Sequence, residues 1–156
     1  ACVAQPSWVN IFLGRLNAYA AGEGLGDGAW VGERTHMASQ AAVKELRESI
    51  GVSTRQIAAS MRSGEQVATL AGTDVYTMPI AVAEGFLAGS PTAEVLQDRT
   101  GEDYQPSWAE GIDPDAEGVH KLWEVDASFK EVCLELAARD YENLTAAEVL
   151  AAVKAL

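Results

Sequence analysis

Two arginines, Arg15 and Arg62, carry the clearest chemical possibility in this sequence. A guanidinium presents a fixed fork of N–H donors that matches the oxygens of a phosphate. Arg15 follows the apolar run Trp8-Val9-Asn10-Ile11-Phe12-Leu13 after a single glycine, and Arg62 comes two residues after Ser60, which ends a second run. Both fall where strands hand over to helices, the carboxyl edge at which α/β proteins build their sites. Arg62 also leads into Ser63-Gly64, an expected helix start whose free backbone N–H groups attract anions. Gly64 leaves room for a close approach. Strand alternation puts Ser60 and Arg62 on one side, with Ala59 and Met61 opposite. On spacing alone, a phosphate clamp built from neighbouring strands competes with two ordinary surface arginines.

The elements that must position these residues alternate in type. Trp8 to Leu13, bounded by Pro6-Ser7 and Gly14, reads as a strand buried on both faces. Gly22-Glu23-Gly24-Leu25-Gly26-Asp27-Gly28 is too glycine-rich for a helix or strand interior and must be a loop. Thr35 is expected to cap the next helix, with an inward stripe of Ala38, Ala42, Leu46 and Ile50 and a stop at Gly51. A short strand, Gln56 to Ser60, follows. Ser63 with Gln66 forms a capping box for a helix stopping at Gly72. Asp74 to Met78 is a third strand. Pro79 opens a helix with Ile80, Ala83 and Leu87 inward and Gly89 beyond its end. This order implies parallel strands joined by helical crossovers, in an open sheet or in part of a barrel.

From Ser90 to about Asp113 a Pro-, Gly- and acid-rich connection leads to two more helices. One carries the stripe Phe129, Val132, Cys133, Leu136 and Ala137. The other is capped by Thr145 with Glu148, and Leu144 is placed to staple onto Val149. The whole, residues 1–156, reads as a single domain, with βα units in 1–89 and the connection and helices in 90–156.

Composition limits the partners. The chain is 48% hydrophobic and 22% charged, with a net charge of -12 and a pI of about 4.4. So acidic a surface repels nucleic acid and anionic membranes. Any anionic ligand must be held by a local positive site against the global field. No apolar run is long enough to span a bilayer, and no signal peptide is visible, which makes the cytoplasm the expected location. Cys2 and Cys133 make no disulfide framework, and Cys133 reads as a buried small hydrophobe. The opening Ala1-Cys2-Val3-Ala4 reads as the tail of a helix whose beginning is missing, with a processed amino terminus as the alternative. His36 and His120 have no ligand cluster at metal spacing, although His36, beside the glycine loop, could line a site at the strand ends. The alternating glycines 22, 24 and 26 do not follow a strand directly or open a helix at dinucleotide-binding spacing. Trp30, Trp108 and Trp123 read as anchors for loops and helices.

Three segments together resemble the transaldolase family. Val9-Asn10-Ile11-Phe12-Leu13-Gly14-Arg15-Leu16 resembles its strand-six motif, in which an aromatic, a small residue and arginine close the strand. Ile57-Ala58-Ala59-Ser60-Met61-Arg62-Ser63 resembles the strand-seven motif, and Ala71-Gly72-Thr73-Asp74-Val75-Tyr76-Thr77-Met78-Pro79 the strand-eight motif. Each is weak alone, and their order is the more specific signal.

The resemblance implies an α/β fold, the carboxy-terminal part of a (β/α)8 TIM barrel comprising strands six to eight plus carboxy-terminal helices. It also implies an aldol enzyme of carbohydrate metabolism, in the pentose phosphate pathway, needing no cofactor. A lysine on strand four attacks a ketose phosphate, and a dihydroxyacetone unit is passed to an aldehyde through a Schiff base. Arg15, Ser60 and Arg62 match the residues that hold the substrate phosphate. Asn10 stands where many members carry serine near the bound sugar. The catalytic lysine has no counterpart: Lys44, Lys121, Lys130 and Lys154 all lie in polar helical positions, whereas a Schiff-base lysine needs a desolvated site. The implied partners are a sugar phosphate, a companion chain or amino-terminal half bearing that lysine, and further subunits of an oligomer. A fructose 6-phosphate aldolase, another phosphate-binding barrel enzyme, and a non-catalytic half-barrel that binds sugar phosphates or a partner chain remain as alternatives.

Overall fold

The computed structural model describes residues 6–114, 116, 127–138 and 145–154. Its centre is a three-stranded parallel sheet in the order β1 (Trp8–Phe12), β2 (Arg55–Ala59), β3 (Val75–Tyr76). Asn10 pairs with Ile57 and Phe12 with Ala59, while Ile57 pairs with Val75 and Ala58 with Tyr76. Because side chains alternate along a strand, this register sorts the sheet into two faces. Ile11, Ala58 and Tyr76 lie on one. Trp8, Asn10, Phe12, Ile57 and Val75 lie on the other.

The first face is covered by helices. These are α1 (Leu13–Gly22), α2 (Val31–Ile50), α3 (Glu65–Thr69) and α4 (Ile80–Ala88). Leu13, Met37, Ala58, Met61, Val67, Leu70 and Val82 form the core there, with Ile11, Tyr76, Met78 and Phe86 packed against it. The second face stays apolar yet open: Trp8 is 50% and Phe12 47% exposed. The described residues make three strands and no closed barrel.

A helix that the sequence reading missed follows β1 directly. Leu13 and Ala20 are buried and Leu16 and Asn17 half-buried, an i, i+3, i+4, i+7 face that marks α1. Arg15 therefore sits in the first turn of a helix.

The start and inward face of α2 also differ from expectation. Thr35 is inside the helix, its hydroxyl donating to Val31 O at 2.7 Å, and Trp30 stands at the N-cap in a left-handed conformation, φ 66°. Ala38 is exposed, Ile50 is 69% exposed, and Ala42 and Leu46 are half-buried. The buried face is instead Gly32, Glu33, His36, Met37, Gln40 and Val43. The reason is what lies beneath it. Ser39 donates to the buried Gln56 side chain (2.6 Å), Asp74 N–H donates to Gln40 (3.4 Å), and Arg47 holds both carboxylate oxygens of Asp74 (2.5 and 3.0 Å). Polar side chains meet a polar strand edge, a match that hydrophobic periodicity does not detect. Gly51 closes the helix as expected, at φ 71° with its N–H on Arg47 O.

In α4 the inward residues are Val82 and Phe86, and Ile80 and Leu87 are 79% and 65% exposed. Residues 90–113 hold one 3-10 turn, Ala93–Leu96, and run back across the helices. Arg99 N–H donates to Ala71 O, and Trp108 bridges Gly26. The backbones come so close that a Cβ on Gly26 would collide with Ser107 O, so the glycine loop serves chain-to-chain packing. Two further helices, α5 (Ala127–Ala137) and α6 (Ala146–Lys154), pack on one another. The expected box at α6 is complete: Thr145 N–H and hydroxyl both donate to Glu148 at 2.8 Å, and Glu148 N–H returns to the hydroxyl. The side chains of Cys133, Leu136 and Ala137, and Leu144, His120, Lys121, Trp123 and Ala1 to Ala4, lie outside the described residues. No helix among the described residues is long and apolar enough to cross a membrane.

Candidate functional site

The register of β1 and β2 puts the two arginines at the same sequence offset from one paired position. Phe12 pairs with Ala59, and Arg15 and Arg62 each stand three residues beyond that pair. The Arg15 guanidinium lies over the Phe12 ring, 5.1 Å from its centroid, a cation–π contact that turns it toward the open face. Arg62 folds across Gly14. A Cβ on Gly14 would collide with Ser60 O and stand 3.0 Å from Arg62 Cγ and Nε, so only glycine lets the two strand ends close up here. Both arginines are exposed, and neither makes an ion pair among the described residues.

Ser60 sits between the two strand ends at φ 62°, in the left-handed region. This ends the strand and breaks the expected alternation. Ala58 and Met61 both enter the core, three residues apart, while Arg62 turns out to solvent. The division into buried Ala59 and Met61 against exposed Arg62 thus comes from the Ser60 backbone. A non-glycine residue held there costs of order 1–3 kcal/mol, and such positions gather at functional sites.

The helix-end contribution to anion binding does not hold. Arg62 N–H (2.6 Å) and Ser63 N–H (3.2 Å) both donate to the Gln66 side chain, and α3 is a single short turn. Gln66 supplies its half of the predicted capping box, while its own N–H donates to the Ser63 carbonyl at 3.3 Å. The space beside Gly64 is filled by α4, because a Cβ there would collide with Phe86 N. Asn10 does not join the arginines. It lies exposed on the open face, two residues along β1 from Phe12, roughly 7 Å deeper at the usual strand rise.

Behind the Arg62 turn lies a polar network that the sequence did not reveal. Glu33, 3% exposed, receives Asn17 Nδ2 at 2.9 Å on one oxygen and Gln66 Nε2 at 2.6 Å on the other. Gly32 N–H donates to Asn17 Oδ1 at 2.6 Å. Beside it is a cavity of about 200 Å³ lined in part by Trp30, Ser63 and Thr69. Trp30 stacks on Tyr104 at 5.2 Å, and the Tyr104 hydroxyl donates to Thr69 O at 2.6 Å. Starting α2 at Val31 would have put Glu33, His36, Met37 and Gln40 on one stripe. Glu33's partners, 16 and 33 residues away, leave no local trace.

His36 does not line the strand ends. It is fully buried, its Nε2 3.0 Å from the Thr73 hydroxyl, which itself donates to Leu70 O. Thr73 can then only accept from the ring, so Nε2 carries the proton, and Nδ1 has no partner among the described residues. Burial lowers the ring's pKa to about 4, against a small opposing pull from Asp74. Lys44, Lys130 and Lys154 are exposed on α2, α5 and α6. Among the described residues no group of three or more His, Cys, Asp or Glu is placed to hold a metal ion.

Comparison of the chain with family models, with curated proteins and with solved structures returns no match.

Proposed function

We propose that Arg15 and Arg62 hold the phosphate of a sugar phosphate, and that the chain is the phosphate-binding part of a transaldolase-type enzyme acting in the cytoplasm. One observation carries the reading. Two exposed guanidiniums each stand three residues past one paired strand position, Arg15 in the first turn of α1 and Arg62 after the Ser60 turn, with no carboxylate partner among the described residues, in a chain of net charge -12. An arginine at the carboxyl edge of a parallel sheet, without a protein counterion, is what a dianionic ligand requires. Gly14 and the left-handed Ser60 keep the two strand ends in contact. Asn10, deeper on the open face, faces the space that the rest of a sugar would occupy.

The aldol step itself falls to a residue elsewhere. The amine of a desolvated lysine adds to the ketose carbonyl and water leaves. The carbon–carbon bond beyond then breaks, releasing an aldehyde, the retained three-carbon unit attacks a second aldehyde, and water hydrolyses the new Schiff base to free the product ketose and the lysine amine. Lys44, Lys130 and Lys154 are solvated and unsuited to this. The open sheet face with Trp8 and Phe12, together with the outer edges of β1 and β3, supports a companion segment that supplies the remaining strands and the lysine.

Borohydride trapping tests the catalytic half of the proposal. With fructose 6-phosphate, the 156-residue chain alone is expected to take no covalent label, and a preparation that includes the companion is expected to be labelled on the companion. Selective label on Lys44, Lys121, Lys130 or Lys154 would contradict the family reading. Phosphate binding without label in any complete form would leave a binding module.

A further inference from the structure

We propose that Glu33 is the positioning residue of the arginine site, its carboxylate fixing the turn that carries Arg62 against the helix that carries Arg15. The inference rests on the phosphate reading above, but its geometric part can be tested without a ligand.

Hydrogen-bond polarity carries the argument. Gly32 N–H donates to Asn17 Oδ1, so the Asn17 NH2 must face residue 33. Arg62 and Ser63 N–H both donate to Gln66 Oε1, so the Gln66 NH2 must face residue 33 as well. Backbone donors cannot be reversed, and both carboxamides are therefore locked. Position 33 receives a donor from each side and must accept on both oxygens. A carboxylate does this, while a carboxamide offers one acceptor and one donor. At 3% exposure, solvent does not repair a mismatch.

The chain of bonds is continuous from one arginine segment to the other. Asn17 is on α1, two residues from Arg15. Gln66 holds the backbone N–H of Arg62 itself. Glu33, at the start of α2, ties the two together. Both its oxygens are occupied and it is buried, so it acts through Gln66 and Asn17 and does not touch the substrate.

Glu33→Gln sets an NH2 against an NH2. Turning over Asn17 or Gln66 to relieve it sets an NH2 against a backbone N–H instead. The double variant Glu33→Gln/Gln66→Glu restores every bond: the new carboxylate at 66 accepts from Arg62 N–H, Ser63 N–H and the new carboxamide at 33, whose carbonyl accepts from Asn17.

The measurement uses the full chain, with fructose 6-phosphate and fructose as probes. In Glu33→Gln, hydrogen exchange at the Arg62 and Ser63 amides is expected to quicken about tenfold, and fructose 6-phosphate to bind about tenfold more weakly, with fructose unchanged. The double variant is expected to recover both. Unaltered exchange in the single variant, or a folded double variant that recovers neither, would overturn the proposal. Should Glu33→Gln fail to fold, Gln66→Ala cuts the same chain at a half-exposed link, and retention of both properties there would overturn it equally. If the native chain binds fructose 6-phosphate no better than fructose, the phosphate reading fails, and the exchange measurement still decides the role of Glu33.

Discussion

Arginine stands at both ends of the three-stranded sheet, and Arg47 at one end is held differently from Arg15 and Arg62 at the other. At the amino ends of the strands, Arg47 holds both oxygens of Asp74, whose Oδ2 also accepts from Gln56 N–H at 3.0 Å. Burial works to raise Asp74, but the bonds from Arg47 and Gln56 keep its pKa below the usual carboxylate value. The bond to Asp74 in turn raises Arg47. At the carboxyl ends, Arg15 and Arg62 have no such partner among the described residues, although the chain contains 23 acidic side chains. Where an arginine holds the fold together it is given a carboxylate. Arg34, Arg55 and Arg99 likewise make no ion pair among the described residues, so what sets Arg15 and Arg62 apart is their place at the edge that builds sites in α/β proteins, where we propose an anionic ligand supplies the negative charge.

This contrast can be broken or sharpened by substitution. The largest stability effect is expected at the amino-end half, from His36. Its folded pKa, about 4, lies below the unfolded value near 6.5. Between these values the unfolded chain binds the proton and the folded chain does not. Stability is therefore complete above the unfolded pKa and falls as pH drops, by about 3 kcal/mol between pH 7 and pH 4. Chemical denaturation across that range should show the slope in the native chain and its loss in His36→Gln. The contribution of Asp74 has its own window, being lost only as pH falls below the ordinary carboxylate range. A smaller effect is expected from Arg47→Ala. The pair is partly solvated, with side chains 26% and 14% exposed, so about 1–2 kcal/mol of stability is at stake, between the exposed and buried limits. Phosphate affinity should not change. A loss of affinity in Arg47→Ala, with the fold intact, would erase the distinction between the two ends.

How far these regions could be read from sequence follows from their physics. The strand positions, the glycine stop at Gly51 and the Thr145–Glu148 box are local signals, and the structure carries them. The places of Arg15 and Arg62 after their strands were legible for the same reason. The inward face of α2 was not, because Glu33, His36 and Gln40 are buried by partners supplied from Asn17, Thr73 and Asp74, distant in the chain. Apolar spacing pointed to Ala38 and Ile50, which face solvent. The turn at Ser60 escaped too. A left-handed backbone at a non-glycine residue accompanies the close packing of Gly14 against Ser60 O, a contact between residues 46 apart in numbering and adjacent in space.

The central claim is that the carboxyl-end arginines read phosphate. Its most direct measurement is a calorimetric titration of fructose 6-phosphate and fructose into the native chain, Arg15→Ala and Arg62→Ala, alongside their melting curves. Both substitutions are at exposed positions and should leave stability within about 0.5 kcal/mol. Each should weaken the phosphorylated sugar by roughly 1.5–3 kcal/mol, the size of a charge-assisted hydrogen bond, and leave fructose nearly unaffected. Equal losses for both sugars, or none for either, would contradict the account.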